Sequence, residues 1–250
     1  MSTLLLRLAA PLQSWGIDSK FERRTTGHTP SKSGVLGLCA AALGYRRHED
    51  EKLAHIANLR IGVRIDKPGT LLQDFHMAHE EAFWDANDRS KINRSKSGNS
   101  YLTTRFYIAD AAFLVGLEGD DTILMEIDEA LRSPMYPLYL GRRSCVPDGR
   151  ISLGIVSYPL KEALEKQPVI TRFQGSSSTM GSKPRIVIDH VAYRDKDGNA
   201  GYRLRDFPRS FNPSHRKYGF RSVREYESPV PLITKDHDAF AAAEEASECS

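Results

Sequence analysis

The stretch from Arg105 to Leu117, Arg-Phe-Tyr-Ile-Ala-Asp-Ala-Ala-Phe-Leu-Val-Gly-Leu, constrains the fold most. It is long and mostly apolar, and it reads as the strongest strand of the chain. The other elements fall into place around it. Leu4 to Ala10 is a short apolar run, interrupted by Arg7, that reads as a buried first strand. Pro11-Leu-Gln-Ser-Trp-Gly16 reads as the turn ending it. Pro30 and Ser31 open a helix over residues 31–44, with Val35, Leu36, Leu38, Cys39, Ala42 and Leu43 at helical spacing and Gly44 closing it. A short helix from Lys52 to Ala57 and an alternating strand from Arg60 to Asp66 follow, then a strand piece from Leu71 to Phe75. Beyond the long strand, Thr122 to Arg132 is an amphipathic helix ended by Pro134, and Tyr136 to Leu140 reads as a short strand.

Strand, helix, strand, strand, helix, strand is the ferredoxin-like βαββαβ order, an α+β class shared by RNA-recognition domains. Topology alone does not give function. An insertion precedes the third strand. Residues 76–104 end in a polar, basic segment nearly devoid of apolar side chains, which cannot feed a core and should protrude as a loop or long hairpin. The expected organisation is therefore a ferredoxin-like domain over 1–150 with its insertion and a small, mostly β C-terminal domain over 151–234. An acidic tail follows over 235–250. Strand-like pieces of the second domain are Ile151–Ser157, Val169–Phe173, Arg185–Val191 and Tyr202–Phe207.

A net charge of only +3 excludes any argument from global polycation character, so the distribution of charge has to carry it. Seven Lys/Arg and one acid, Asp206, lie between Gly201 and Arg224. Five Lys/Arg and no acid lie between Arg89 and Arg105. Such segregation points to local anion-binding surfaces. Cys39, Cys145 and Cys249 are far apart with no Cys-x-x-Cys, which speaks for a reducing cytoplasm and against structural zinc. His76, His79 and Glu80 lack a metal-binding pattern, so no metal or cofactor is expected. The N-terminal apolar run is too short for a signal peptide, and no segment reaches the length of a membrane span.

Pro30-Ser-Lys-Ser-Gly34 puts two hydroxyls and Lys32 at a helix start, where free N–H groups favour phosphate. Lys20, Arg23 and Arg24 lie just upstream, with Thr25, Thr26 and Thr29 among them. The plainer alternative is a polar start of a core helix with Lys32 solvated. A nucleotide P-loop is rejected, because Ser31 stands where its second glycine belongs and Gly27 is one residue out of register. Trp15, at the turn tip, either stacks on a base or packs on the core.

Several of these motifs, in this order, resemble the CasD family of type I-E CRISPR Cascade subunits. They are Pro11-Leu-Gln-Ser-Trp-Gly16, Phe21 with Arg23, Arg24 and Thr25, Pro30-Ser-Lys-Ser-Gly-Val-Leu-Gly37, Ala109-Asp-Ala-Ala-Phe-Leu-Val-Gly-Leu117 and Tyr139-Leu-Gly-Arg-Arg-Ser-Cys145. The likeness is dense over about residues 1–160. It implies a repeat-associated (RAMP) ferredoxin-like fold with an inserted thumb, here 76–104, and a role in holding the 5′ handle of the crRNA. It implies the Cascade backbone subunit and large subunit as partners, with target DNA met only through the assembled complex.

Under that resemblance, Arg23, Arg24, Lys32, Arg142 and Arg143 suit phosphates, and the Ser31–Ser33 helix start supplies N–H donors. Gln13, Ser14 and Trp15 are expected to meet base edges or faces. Thr25, Thr26, His28, Arg105 and Ser144 complete the expected RNA-binding set, and Arg89, Lys91, Arg94 and Lys96 would act from the thumb. RAMP relatives include metal-independent endoribonucleases that use Tyr, His and Lys side chains. The alternative is therefore repeat cleavage, with His28 and Lys32 as candidates and Tyr45 or Tyr107 as a possible third group. The family's separate processing subunit argues against it. A purely structural bridging protein leaves the basic clusters unexplained.

Overall fold

The computed structural model describes residues 1–16, 23–79, 82–84, 92–94, 100–170, 183–190 and 201–228. The chain opens with β1 (Ser2–Gln13), a two-residue β2 (Arg23–Arg24), α1 (Lys32–Ala42), α2 (Asp50–Ala57) and β3 (Arg60–Lys67). Next come β4 (Thr70–His79), β5 (Ala82–Trp84), β6 (Ile92–Arg94) and β7 (Ser100–Gly119). The chain then forms α3 (Asp121–Arg132), β8 (Ser152–Val156), α4 (Leu160–Lys166), β9 (Arg185–Asp189), β10 (Tyr202–Ser210) and β11 (Lys217–Glu227). The main sheet runs β10-β11-β9-β3-β7-β1-β8, with β2 and β4 also pairing with β7. Among the described residues no helix is long and apolar enough to cross a membrane.

β7 is the organising strand, as its sequence requires, and it serves two structures. From Ala111 to Gly119 it lies between β1 and β3. From Ser100 to Ala109 it pairs with β4 in an antiparallel ribbon. The changeover is at Asp110, whose φ of 55° is left-handed backbone. Opposite it, Gly69 is also left-handed, and a Cβ there would stand 2.5 Å from the Ala109 carbonyl oxygen. Leu71, Phe75 and Met77 of β4 remain exposed, so the ribbon stands clear of the core. The protruding hairpin expected at 76–104 thus begins earlier, at Thr70.

The central strands are covered on both faces, which explains their unbroken apolar runs. Leu4, Leu6 and Leu8 pack with Phe113, Val115 and the helices α1 and α3. Leu5 and Ala9 pack with Leu114, Leu160 and Leu164 on the opposite face, under α4. Gly62 and Gly116 make room for α4, since a Cβ on either would stand 2.6 Å from Leu164 or Leu160. The buried Arg64 guanidinium pairs with Asp66 at 2.6 Å and donates to the carbonyls of Leu164, Gln167 and Pro168, tying down the end of α4. Burial pushes the Asp66 carboxyl up, against the pull of Arg64.

Two sequence expectations are corrected. Pro11, Leu12 and Gln13 continue β1 and are not a turn. Tyr136–Leu140 forms no strand. Its neighbouring backbone donors go elsewhere: Met135 N–H to Ala42 O at 2.9 Å, Tyr136 N–H to Ala41 O at 3.3 Å and Leu140 N–H to Cys145 O at 2.7 Å. The segment therefore caps the end of α1, and the strand after α3 is β8, which pairs with β1. The sheet itself continues past residue 150, where β9 pairs with β3 and carries β11 and β10 with it. Residues 171–173 and the acidic tail lie outside the described residues.

Candidate nucleic-acid interface

The start of α1 forms as the sequence dictates but is closed. Ser31 caps it, accepting from the Gly34 N–H at 3.2 Å. The Lys32 N–H donates to Asp206 at 2.8 Å, and its ammonium donates to Asp189 at 3.1 Å. Arg221 donates to both carboxylates, at 2.6 Å to Asp189 and at 2.6 and 2.9 Å to Asp206. Two cations and two anions thus neutralise one another, with the Lys32 side chain only 4% exposed. Burial holds the Lys32 amine below its usual value, with Asp189 opposing. A carboxylate already sits where a phosphate was expected. Ser31 is thus the helix cap and Lys32 part of a buried ion cluster, while Ser33 is half-buried.

Gln13, Ser14 and Trp15 are buried as well. The Gln13 amide donates to Leu8 O at 3.1 Å and Ala111 O at 2.9 Å, and its oxygen accepts from the Trp15 indole at 3.1 Å. The Trp15 ring lies so close to α1 that a Cβ on Gly34 would stand 2.8 Å from it. Ser14 N–H donates to Leu140 O at 3.0 Å, and Gly141, at φ 98°, lies where a Cβ would stand 1.7 Å from the Ser14 carbonyl oxygen. None of the three is open to a base. Their work is to hold the following loop: the Trp15 N–H donates to Thr26 Oγ1 at 2.8 Å and Gly27 N–H donates to Trp15 O at 2.6 Å. Thr25 is half-buried, and His28 is exposed.

The loop so anchored brings the cations together. β2 lies parallel to β7, with Arg23 opposite Thr104 and Arg24 opposite Arg105. Arg142 donates to Phe106 O at 3.0 Å and to Arg24 O at 2.8 Å, and its guanidinium stands 4.6 Å from the Tyr107 ring centre. Arg23 stands 5.2 Å from the Phe106 ring centre. Burial alone would raise the Tyr107 hydroxyl, but hydrogen bonds with Ser144, Arg142 and Arg105 bring it below its usual value. Arg23, Arg24, Arg105, Arg142 and Ser144 therefore share one patch, with a cavity of about 450 Å³ between Arg23, Phe106 and Leu102. None of these arginines has an ion pair among the described residues, whereas Asp74, across from Arg105, contacts His76 at 3.7 Å.

Arg143 and Ser33 line a different cavity, beside α1. Arg94 lies in β6, while Arg89, Lys91 and Lys96 lie outside the described residues. Sequence reasoning missed Phe106 and assigned Tyr107 only a conceivable catalytic role. The available signal was an aromatic residue next to Arg105, which pairs with Arg24 of β2; Tyr107 itself is buried in the core. Among the described residues no three His, Cys, Asp or Glu side chains gather as a metal site.

A family described as CRISPR-associated protein (Cas_Cas5) matches residues 3–224. The CRISPR system Cascade subunit CasD of Escherichia coli (strain K12) is 34% identical over 182 residues, spanning 67% of this chain and 78% of that protein. A solved structure described as a CRISPR RNA-guided surveillance complex has a chain 30% identical with a TM-score of 0.75, covering 99% of this chain and 100% of that one. Another, described as a Cas protein, is 35% identical with a TM-score of 0.66, covering 92% and 98%.

Proposed function

The chain belongs to the CRISPR-associated Cas5 family, and from that premise we propose that it is the RNA-binding Cascade subunit that holds the 5′ handle of the crRNA. The observation that carries the reading is the patch of Arg23, Arg24, Arg105 and Arg142 around Phe106 and Tyr107, with no carboxylate paired to any of the four among the described residues. Guanidinium groups meet phosphates and the half-exposed Phe106 ring offers a face to a splayed base, which is how proteins hold single-stranded RNA, while the buried Tyr107 ring seats Arg142. Target choice is left to base pairing by the guide.

The fold reading is ferredoxin-like and RAMP-type. The antiparallel order β8-β1-β7-β3, with α1 and α3 on one face, supports it. The β4–β7 ribbon is the thumb, and its exposed Leu71, Phe75 and Met77 offer apolar surface to the backbone and large subunits of the complex. Target DNA meets the protein only within that complex, in the cytoplasm.

The role is non-catalytic. Lys32, one half of the candidate nuclease pair with His28, is buried in an ion pair and cannot stabilise a reacting phosphate. Incubation with labelled repeat RNA in chelator should give no specific products, and products lost in His28→Ala would overturn this. For binding, the test is titration of handle RNA at several salt concentrations. The Arg23→Ala/Arg24→Ala/Arg142→Ala variant should bind weakly, with a log K against log salt slope shallower by about 0.7 per lost phosphate contact. Wild-type affinity in that variant would sink the patch.

A further inference from the structure

A second surface, outside the patch above, has the character of a ligand site. A groove of about 840 Å³ runs beside α1, a size in the range of ligand pockets. Its walls are α1, the turn before α2, the strapped loop after α3 and the tip of the β10–β11 hairpin. Each wall is fixed. Ala41 and Ala42 at the end of α1 accept from Tyr136 and Met135, and Phe211 packs on the core close to Gly37.

The groove's charge is uncompensated. Arg46, Arg47, Arg143 and Arg216 line it, and none of them forms an ion pair among the described residues. Its carboxylate, Glu49, is already engaged, accepting from Lys52 at 2.7 Å and from the Arg46 N–H at 2.6 Å. The Lys52 hydrogen bond holds Glu49 below the usual carboxylate range, so it is ionised and its partner is the Lys52 ammonium. Between the cations, Tyr136 and Tyr218 are 44% and 37% exposed, leaving ring surface open to a ligand.

We propose that this groove holds a short single-stranded segment of RNA, its phosphates on the arginines and its bases against Tyr136 and Tyr218. The inference rests on the RNA-binding reading above and extends it to a second seat. Continuity favours RNA. Arg142 belongs to the first patch and its chain neighbour Arg143 to the groove, so the two surfaces adjoin at this pair of residues. Single-stranded RNA also uses both features of the groove, since every base has a face to stack and every linkage a charge to neutralise. An acidic peptide answers the arginines and leaves the rings unused.

The test uses the full chain and two probes, handle RNA and a short oligouridylate. The Arg46→Gln/Arg47→Gln/Arg216→Gln variant removes exposed side chains only, and its melting temperature should match wild type. Its affinity for both probes should fall about tenfold or more, with a flatter salt dependence. Tyr218→Ala should weaken binding roughly tenfold. 4-Thiouridine in the probe should crosslink to Tyr136 or Tyr218. Wild-type affinity in the groove variant, with affinity lost in the Arg23/Arg24/Arg142 variant, overturns the groove and leaves the first patch standing. A groove variant that binds RNA normally but fails to join the other Cascade subunits means the groove seats a protein, which also overturns the proposal. Failure of the wild-type chain to bind either probe overturns both readings.

Discussion

Lys32 and Arg142 look alike in sequence. Each is a cation in a Gly- and Ser-containing motif, each was expected to hold phosphate, and each stands near an aromatic ring. The fold treats them in opposite ways. Lys32 meets Asp189, Asp206 and Arg221 from β9, β10 and β11 and is neutralised out of water. Arg142 meets the carbonyls of Phe106 and Arg24 and the Tyr107 side chain, no carboxylate among the described residues, and keeps its charge. A carbonyl orients a guanidinium without cancelling it, whereas a carboxylate cancels an ammonium. Partner chemistry, more than residue type, separates a cation of the scaffold from a cation of the surface.

The largest effect should come from trying to treat Lys32 as a surface charge. Lys32→Glu would bury a third carboxylate beside Asp189 and Asp206, and breaking a buried ion pair costs about 3–5 kcal/mol. Thermal unfolding should show a large drop in Tm, or a chain that does not fold. A variant as stable as wild type would mean that α1 is open after all and that the contrast with Arg142 is false.

Gln13→Leu should rank next. It strips partners from the Leu8 and Ala111 carbonyls and the Trp15 indole, all buried. Unsatisfied buried polar groups cost about 1–3 kcal/mol each, partly offset here by the apolar replacement. The expected RNA affinity of the folded fraction is unchanged, which separates this residue from the patch that it supports. A variant of wild-type stability with weakened RNA binding would return Gln13 to the interface.

What was legible in the sequence was local. Pro30, Ser31 and the apolar spacing to Leu43 marked α1 because capping and burial act within a few turns. The long strand announced itself because both its faces are covered. The closure of the helix start was illegible, because Asp189 and Asp206 are 157 and 174 residues from Lys32 and nothing near any of the three marks the pairing. Tyr136–Leu140 has the composition of a strand, but its fate depends on the end of α1, to which it bonds. Trp15 offered two readings until Gly34 of α1 was seen to accept its ring. α4 carried a signal in Leu160, Ala163 and Leu164, yet one of only 7 residues is too short to stand out before its glycine seats in β3 and β7 are known.

The smallest change in stability, and the sharpest on function, belongs to Arg23 and Arg24. Both are exposed and lie on a two-residue strand, and neither side chain has an ion pair among the described residues. Substituting alanine should alter stability by less than about 0.5 kcal/mol, since exposed positions without buried partners rarely contribute more. Arg142→Ala should fall between these and Gln13, at roughly 1 kcal/mol, because charge-assisted bonds to Phe106 and Arg24 carbonyls are lost at a half-exposed site. RNA affinity should not follow that order. Arg23 and Arg24 aim free charge at solvent, so each removal should flatten the salt dependence by about 0.7, evenly across RNA sequences. Arg142 also fixes where Arg24 stands, so its loss should exceed a single contact, and pairing it with Arg24→Ala should be less than additive. A double-mutant cycle on handle RNA measures that coupling. Strict additivity would mean that Arg142 acts on RNA by its own charge alone, and that the rivet joining the loop to β2 plays no part in binding.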